Sequence, residues 1–285
     1  MMSRMAPWAL ATAGTVLAIH VTASPAILPA ESARTVYISA VDSTGAPVTD
    51  LTAADVTVKE GGKDRVVASL QPATAPIHAA ILVDDAGTGA YQAGVSQILQ
   101  ALFGHGQFSI SLLNPQAAQI VDYTDDPAAL KSAIGRLGMR GRIQTDGDQL
   151  LDAIASAAKE LQRRKAERPV ILALTVTGDG QQSLNPELVI SQLLSSRAIL
   201  EVVFATNAGT GQVLGDGPKL SGGLSEAVGA ASAIPSVLKK ITDALLNQYA
   251  LTYTQPDAPK PVDRLSISTR RKGVTLIAPT RVAAQ

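Results

Sequence analysis

The chain has 285 residues, of which 46% are hydrophobic and 3% aromatic, and its 24 basic residues balance 24 acidic ones. This length is enough for one large domain or two smaller ones. Balanced charge and few aromatic rings argue against nucleic-acid binding, which uses basic surfaces and stacking platforms. Because there is no cysteine, the mature fold must be stable without disulfides.

Residues 1–23 have the pattern of a secretory signal peptide. Arg4 precedes an apolar run over residues 6–21, and small residues up to Ala23 suit cleavage. We expect cleavage after Ala23, or near Ala30, and an exported protein, periplasmic or extracellular. An uncleaved leader that remains as an anchor is the alternative. No other segment is long enough to cross a bilayer, so we expect no membrane span after cleavage.

The next segment has the signals of a small β structure. Residues 35–41 alternate between apolar and polar, and the turn DSTGAP follows them. Residues 51–55 predict a single helical turn that begins at Thr52. Residues 56–60 and 65–70 flank the turn residues GGKD, which predicts a β-hairpin.

The stretch His78–Gly89, HAAILVDDAGTG, organises the rest of the chain. Its apolar run ends on two aspartates and turn residues, and a helical pattern begins at Tyr91. This predicts a buried parallel strand followed by a helix. Ligands of open α/β sheets bind at the carboxyl ends of the strands, so Asp84, Asp85 and Thr88 lie where a binding site is expected.

Helical and strand patterns then alternate, which favours a mostly parallel sheet with helices on both faces. Four helical patterns start at Tyr91, Leu130, Leu150 and Val237, and Pro186 begins a further helix. Strands are expected at 108–113, 118–123, 170–176 and 199–205, with the first two antiparallel. The glycine-rich residues 209–223 predict a mobile loop at the top edge of the sheet.

The chain returns to strands at 250–254, 265–270 and 274–277. Neither end segment is large enough to fold alone. We therefore predict that residues 34–73 and 249–283 form one discontinuous β-sandwich. A doubly wound α/β domain, residues 76–248, is inserted in it.

Three motifs occur in an order that resembles a von Willebrand factor type A (vWA) domain: HAAILVDDAGTG, GDQLLDAI and RPVILALTVTGDG. The flanks DSTGAPVTDLTAADVTVKEGG and QYALTYTQP are similar to those of exported bacterial VWFA-related proteins, which are abundant in acidobacteria. The resemblance covers residues 34–282. It implies the Rossmann-like vWA fold within a small β-sandwich.

The resemblance also implies a metal-ion-dependent adhesion site, in which oxygen ligands hold Mg²⁺ or Ca²⁺. Asp84 matches its first aspartate, and Thr88 keeps a hydroxyl at its second serine. Asp148 stands in place of a threonine, and Asp179 is displaced by one or two positions from the last aspartate. Ala86 replaces the first serine and offers no donor. Either a modified cation site persists, or the site is vestigial and its acids are solvated loop residues.

The chemistry of an enzyme has little support in the sequence. The histidines that remain after export, His78 and His105, stand at a strand start and in a glycine loop, away from a nucleophile. We therefore predict a non-enzymatic module that binds an unknown protein partner through an acidic rim of loops. The residues expected to contact the partner are Asp85, Gly87, Arg142 and Asp146. The alternatives are a metal-dependent hydrolase that uses the acidic cluster and a structural protein of the cell envelope.

Overall fold

The fold is described from a computed structural model, which covers residues 33–143, 148–179, 184–255 and 262–283. The strands are β1 (Ala33–Val41), β2 (Val56–Glu60), β3 (Lys63–Arg65), β4 (Val67–Pro72), β5 (Ile77–Asp84), β6 (Gly106–Leu112), β7 (Ala118–Thr124), β8 (Arg168–Thr175), β9 (Ile199–Ala205), β10 (Ser225–Val228), β11 (Tyr249–Thr254), β12 (Val262–Thr269), β13 (Thr275–Ile277) and β14 (Arg281–Ala283). The α-helices are α1 (Gln92–Ala101), α2 (Pro127–Arg136), α3 (Asp148–Arg163), α4 (Pro186–Ser196), α5 (Gln212–Ser221) and α6 (Ile234–Leu246). The predicted signal peptide lies outside the described residues.

A six-stranded sheet forms the centre of the molecule, in the order β10-β9-β8-β5-β6-β7. Its strands run parallel except β7, which is antiparallel to β6, as the sequence predicts. Val83 near the end of β5 pairs with Leu112 of β6 and Leu174 of β8. The chain leaves β5 toward β6 and later returns on its other side to β8. The carboxyl ends of β5 and β8 therefore flank the point where the strand order reverses, the usual ligand site of such sheets.

Helices cover both faces of this sheet because β5 is apolar on both sides. Ile81 packs into a core with α1, α2 and α6, whereas Leu82 packs into a second core with α3, α4 and α5. Successive side chains of a strand point to opposite faces, so one run of apolar residues supplies both layers. The mostly parallel α/β fold predicted from the sequence is confirmed.

Two four-stranded antiparallel sheets form the β-sandwich, in the orders β13-β1-β11-β4 and β14-β12-β2-β3. Each sheet combines strands that precede the α/β segment with strands that follow it. In the first sheet, Ile38 of β1 pairs with Tyr249 of β11. A third apolar core lies between the two sheets, and Ile38, Val58 and Leu251 belong to it. The predicted insertion of an α/β fold into a sandwich is confirmed, while the residue boundaries of the two domains stay predictions.

The predicted hairpin between residues 56–60 and 65–70 is wrong in its second strand. β2 pairs with the short β3, where Glu60 is opposite Lys63. The chain then crosses to the other sheet, and β4 pairs with β11, with Leu70 opposite Leu251. The crossing places Leu70 in the core between the sheets, where it is 5% exposed.

The loop predicted for residues 209–223 is also wrong, because these residues contain helix α5. Val213 and Leu214 are fully buried in the core beside α3 and α4. Gly217 approaches Leu200 so closely that an added Cβ would lie 2.9 Å from Leu200 Cδ2. Burial against the sheet thus outweighs the low helix propensity of the glycines and Pro218. The edge strand β10 follows this helix.

Tyr249 holds the segment before β2 against the sandwich. Its buried hydroxyl accepts a hydrogen bond from the backbone N–H of Leu51 at 3.0 Å and donates one to the carbonyl of Val48 at 2.9 Å. The helical turn predicted at Thr52 follows directly, at Ala53–Asp55. One side chain of β11 therefore orders the entry to β2.

We expect Tyr249→Phe to lower the free energy of unfolding by about 1–3 kcal/mol, because it leaves the buried Leu51 N–H without its acceptor. Urea denaturation measures this change. The matched control is Tyr37→Phe, since Tyr37 contacts Arg168 through its ring, at 5.6 Å from the guanidinium carbon. Equal effects of the two variants would contradict the role given to the Tyr249 hydroxyl.

Glu201 is a carboxyl group buried within β9. It is 2% exposed, and its Oε2 accepts a hydrogen bond from the Leu224 N–H at 2.7 Å. Burial raises the pKa of Glu201 to about 8. Between pH 4.5 and pH 8 the folded chain therefore keeps a proton at Glu201 that the unfolded chain has released.

We predict that the free energy of unfolding falls by about 3 kcal/mol as the pH rises from about 5 to about 8, at 1.36 kcal/mol per pKa unit. Glu201→Gln keeps an acceptor for Leu224 and does not titrate, so it should flatten this part of the profile and stabilise the fold at pH 8. Denaturant unfolding across this range measures it. A variant with the wild-type slope would refute the assignment to Glu201.

Candidate functional site

The candidate site begins where β5 ends. β5 stops at Asp84, and residues 84–90, here called the first turn, lead to the buried Tyr91. The Tyr91 hydroxyl donates to the carbonyl of Thr175 at 2.7 Å and so joins this turn to the end of β8. Ala86, Gly87 and Gly89 all have positive φ, which coils the turn tightly.

Asp85 is fully buried, and its carboxylate organises the first turn. Oδ1 accepts a hydrogen bond from the Gly87 N–H at 3.0 Å, and Oδ2 accepts one from the Gly89 N–H at 2.8 Å. Oδ1 also forms an ion pair with Nη2 of Arg140 at 2.6 Å. The carboxylate is thus surrounded by donors and is turned away from solvent.

Residues 138–143, here called the covering loop, lie on the first turn. The Arg140 N–H donates to the Gly87 carbonyl, and the Ile143 N–H donates to the Ala86 carbonyl, both at 2.9 Å. The contact is so close that an added Cβ on Gly87 would lie 2.1 Å from the carbonyl oxygen of Gly141. The covering loop therefore buries Gly87.

Asp84 is 1% exposed and faces the end of β8. Its Oδ2 accepts hydrogen bonds from the hydroxyls of Thr175, at 2.8 Å, and Thr177. Its Oδ1 has no hydrogen-bond partner among the described residues. Asp84 thus joins β5 to the turn after β8.

Asp179 is 3% exposed and connects the turn after β8 to the start of α5. Its Oδ1 accepts a hydrogen bond from the Gly211 N–H at 2.5 Å, while its Oδ2 has no partner in the part of the chain that the structure describes. The hydroxyl of Thr88 is turned back into its own turn, where it donates to the Asp85 carbonyl at 2.7 Å. Asp148 is the first residue of α3, and Asp146 lies outside the described residues.

The described residues supply only part of the cation site that the resemblance implies, and the side chain of Asp148 lies outside them. Ala86 has no donor atom, and Thr177 brings a hydroxyl that is used by Asp84. The Asp85 carboxylate accepts hydrogen bonds within the first turn and pairs with Arg140. The Thr88 hydroxyl donates to the Asp85 carbonyl. Of the buried Asp84, Asp85 and Asp179, only Asp84 and Asp179 keep an oxygen without a hydrogen-bond partner among the described residues, Oδ1 and Oδ2 respectively. Among described residues no group of three or more histidine, aspartate or glutamate side chains is placed to hold a metal.

The described part of the site's surface differs from the acidic rim expected from the sequence, and Asp146 lies outside it. Asp85 and Gly87, two of the residues expected to contact a partner, are buried, so they shape the loops instead. Arg142 is exposed as that prediction requires, and Met139 beside it is 84% exposed. The exposed part of the covering loop is therefore basic and apolar, because the carboxylates below it point inward.

Sequence reasoning missed three residues of this site. Thr175 ends β8 and Thr177 lies in the turn after it, so strand spacing alone does not bring their hydroxyls together. Arg140 stands in GMRGRI, where no periodic pattern distinguishes it from Arg142. What distinguishes Arg140 from Arg142 is its contact with Asp85, which lies 55 residues away in the sequence.

Gly87 and Gly141 provide a matched test of the loop contact, since both have positive φ. An added Cβ on Gly141 meets no atom of the described residues within 4 Å. We expect Gly141→Ala to cost about 1 kcal/mol through its backbone conformation, and Gly87→Ala to cost at least about 3 kcal/mol, since it also displaces the covering loop. Urea unfolding of the two variants measures the difference. Equal costs would show that the two loops are not in contact.

Comparison with known proteins gives structural matches only. No family model matches the sequence, and neither does any curated protein. A von Willebrand factor type A protein from Catenulispora acidiphila is 10% identical, and the match covers 88% of this chain and 73% of that one with a TM-score of 0.50.

Two further matches have lower scores. Proximal thread matrix protein 1 from the mussel byssus, solved with zinc in its MIDAS motif, is 14% identical, with 67% of this chain and 50% of that one covered and a TM-score of 0.48. The PilB minor pilin from Streptococcus sanguinis is 10% identical, with 61% and 62% covered and a TM-score of 0.43.

At 10% identity, the match to the Catenulispora protein concerns the fold and not what either protein binds. It agrees with a mostly parallel central sheet that has helices on both faces, and it extends over most of this chain. The chain therefore has the von Willebrand factor type A fold, carried on a β-sandwich built from strands on both sides of it.

Proposed function

We propose that this chain is an exported, non-enzymatic module that binds a protein partner through the rim of its central sheet. The rim consists of the first turn, the covering loop and residues 177–179. The observation that carries the proposal is Met139, a large apolar side chain that is 84% exposed on a loop otherwise held firmly in place. Methionine and arginine are enriched in protein–protein interfaces relative to the rest of the protein surface.

The order of the covering loop supports this proposal. Two backbone hydrogen bonds and the ion pair between Arg140 and Asp85 hold the loop on the first turn. A surface that is already ordered loses little conformational entropy when a partner binds. Arg136 and Arg142 are exposed on either side of Met139, so we expect a partner that presents carboxylates around an apolar side chain.

Export is part of the proposal because of the leader pattern in residues 1–23. The flanking motifs around DSTGAP and QYALTY support an assignment to exported bacterial VWFA-related proteins. No helix among the described residues is both long enough and apolar enough to cross a membrane. Because the leader pattern indicates export, we expect a partner in the cell envelope or outside the cell.

The hydrolase alternative has less support. It requires carboxylates that reach a substrate and an activating metal. Asp84, Asp85 and Asp179 are 1%, 0% and 3% exposed, and their described oxygens mainly accept hydrogen bonds from the surrounding loops. We therefore assign these side chains to holding the rim rather than to chemistry.

A photo-reactive amino acid at position 139 tests the proposal in the envelope fraction of the source cells. We expect one predominant protein adduct, reduced about tenfold by the additional change Arg142→Glu, which corresponds to about 1.4 kcal/mol of binding free energy. The matched control is the same amino acid at Phe103, which is 53% exposed in the turn before β6, at the opposite edge of the sheet.

Two results would contradict the proposal. One is the same set of adducts from positions 139 and 103, which would indicate nonspecific capture. The other is an adduct from position 139 that Arg142→Glu leaves unchanged, because the exposed arginine would then have no part in recognition.

A further inference from the structure

The first half of β1 has a free strand edge. Residues 33–38 pair with β11 on one side, whereas β13 on the other side pairs only with Ser39–Val41. After β13 the chain passes Pro279, which has no N–H to donate to a neighbouring strand, and continues into β14 of the second sheet. Among the described residues, no strand therefore lies beside the outer edge of residues 33–38.

A groove runs along this edge and adjoins a smaller cavity. The groove has a volume of about 710 Å³ and is lined by Thr35 and Tyr37 of β1 and by the ends of α3 and α4. The cavity has a volume of about 60 Å³, and Val36, Leu194 and Val282 are among the apolar residues that line it. Because a cavity of about 150 Å³ can hold benzene, this one has room for a small aliphatic side chain.

Arg34 lines the same cavity and has hydrogen-bond donors without acceptors. It is 2% exposed, and its Nη1 lies 3.3 Å from Glu60 Oε1. Its Nε and Nη2 have no hydrogen-bond partner within the described part of the chain. Buried donors in native proteins usually have a partner. An extended segment bound beside β1 can supply the acceptor, since each of its residues has a backbone carbonyl.

Positive charge surrounds the groove and the cavity. Lys165, Arg197 and Arg281 are exposed lining residues, and none of them forms an ion pair with another described residue. Glu167 is the single acid among the described lining residues. Lys165 and Arg197 follow the ends of α3 and α4 with φ of 53° and 59°, a conformation that favours glycine. A helix dipole favours a cation at each end, but it does not account for three cations around one groove.

We propose that this groove is a second interaction site, which binds an extended acidic segment of a partner protein as an added strand beside β1. Along β1, Val36 lines the cavity only, whereas Tyr37 also lines the groove. A strand added at this edge alternates in the same way, so its apolar residues face the cavity and its acidic residues face Lys165 and Arg197. The site lies at the amino edge of the central sheet, and it does not depend on the rim around Met139.

Three synthetic hexapeptides with blocked ends and a fluorescent label test the proposal by anisotropy titration with the full chain. We expect Glu-Val-Glu-Val-Glu-Val to bind at least about tenfold more tightly than Glu-Glu-Glu-Val-Val-Val, which has the same composition without the alternation. It should exceed Lys-Val-Lys-Val-Lys-Val by at least as much, because the groove is basic. Equal binding of either control peptide, or no binding of the alternating glutamate peptide at about 1 mM, would overturn the proposal.

Variants of Arg197 locate the site. Arg197→Glu should weaken binding of the alternating glutamate peptide by about tenfold or more, because it replaces attraction by repulsion. Arg197→Gly removes the charge and suits the positive φ, so it should weaken binding without lowering the melting temperature. Arg142→Glu is the matched control, since it changes the net charge equally at the opposite edge of the central sheet, and it should leave the affinity unchanged. Equal effects of Arg197→Glu and Arg142→Glu, or unchanged binding in both Arg197 variants, would contradict the proposal.

Hydrogen exchange distinguishes strand addition from attraction by charge alone. The bound peptide should increase protection of amides within residues 34–37, while the Arg140 amide, which donates to the Gly87 carbonyl at the rim, should be unchanged. Binding without added protection in residues 34–37 would refute strand addition. Dimerisation of the wild-type chain that Arg197→Glu abolishes would assign the edge to a second copy of this chain and so overturn the proposal. Failure of the cross-linking experiment at Met139 would leave these results unaffected.

Discussion

Three buried carboxylates at the carboxyl edge of the central sheet determine how the loops above it are arranged. Each of them lies at or just after the end of a strand that is apolar on both faces, and each is therefore buried: Asp84, Asp85 and Asp179. A buried carboxylate is tolerated when hydrogen-bond donors or a cation compensate it. In this chain the compensating groups are threonine hydroxyls, glycine amides and one arginine. Each of these hydrogen bonds holds the segment that carries the donor at the edge of the sheet.

This compensation explains why the rim is basic on its outer side. The arginine that pairs with Asp85 belongs to the covering loop, and the backbone of that loop also closes over Gly87. Met139 and Arg142 are then left facing outward. The surface at this edge of the sheet is thus determined by loop residues and not by the sheet itself.

The β-sandwich depends on a different long-range contact, the pairing of β1 with β11 across the whole α/β segment. Arg168 at the start of β8 connects the two parts of the molecule. Its guanidinium is buried, donates to Gln248 Oε1 at 2.8 Å and to the Leu245 carbonyl, and lies over the ring of Tyr37. Burial lowers the pKa of Arg168 to about 10, and the neutral partners do not fully offset the loss of water. The central sheet is therefore fastened to the sandwich through its amino edge, away from the rim.

The sequence by itself determined the strands and helices of the central fold, because apolar runs such as residues 79–83 and helical spacing such as Leu150, Ile154 and Leu161 report local burial. It also determined that Asp84 and Asp179 lie at one edge, since both follow parallel strands. The tertiary structure alone decided that α5 is a helix, that β4 leaves its hairpin, and that Arg140 rather than Arg142 pairs with Asp85. These features depend on contacts between residues that are far apart in the chain. Local sequence patterns report the burial of neighbouring residues and do not predict such long-range contacts.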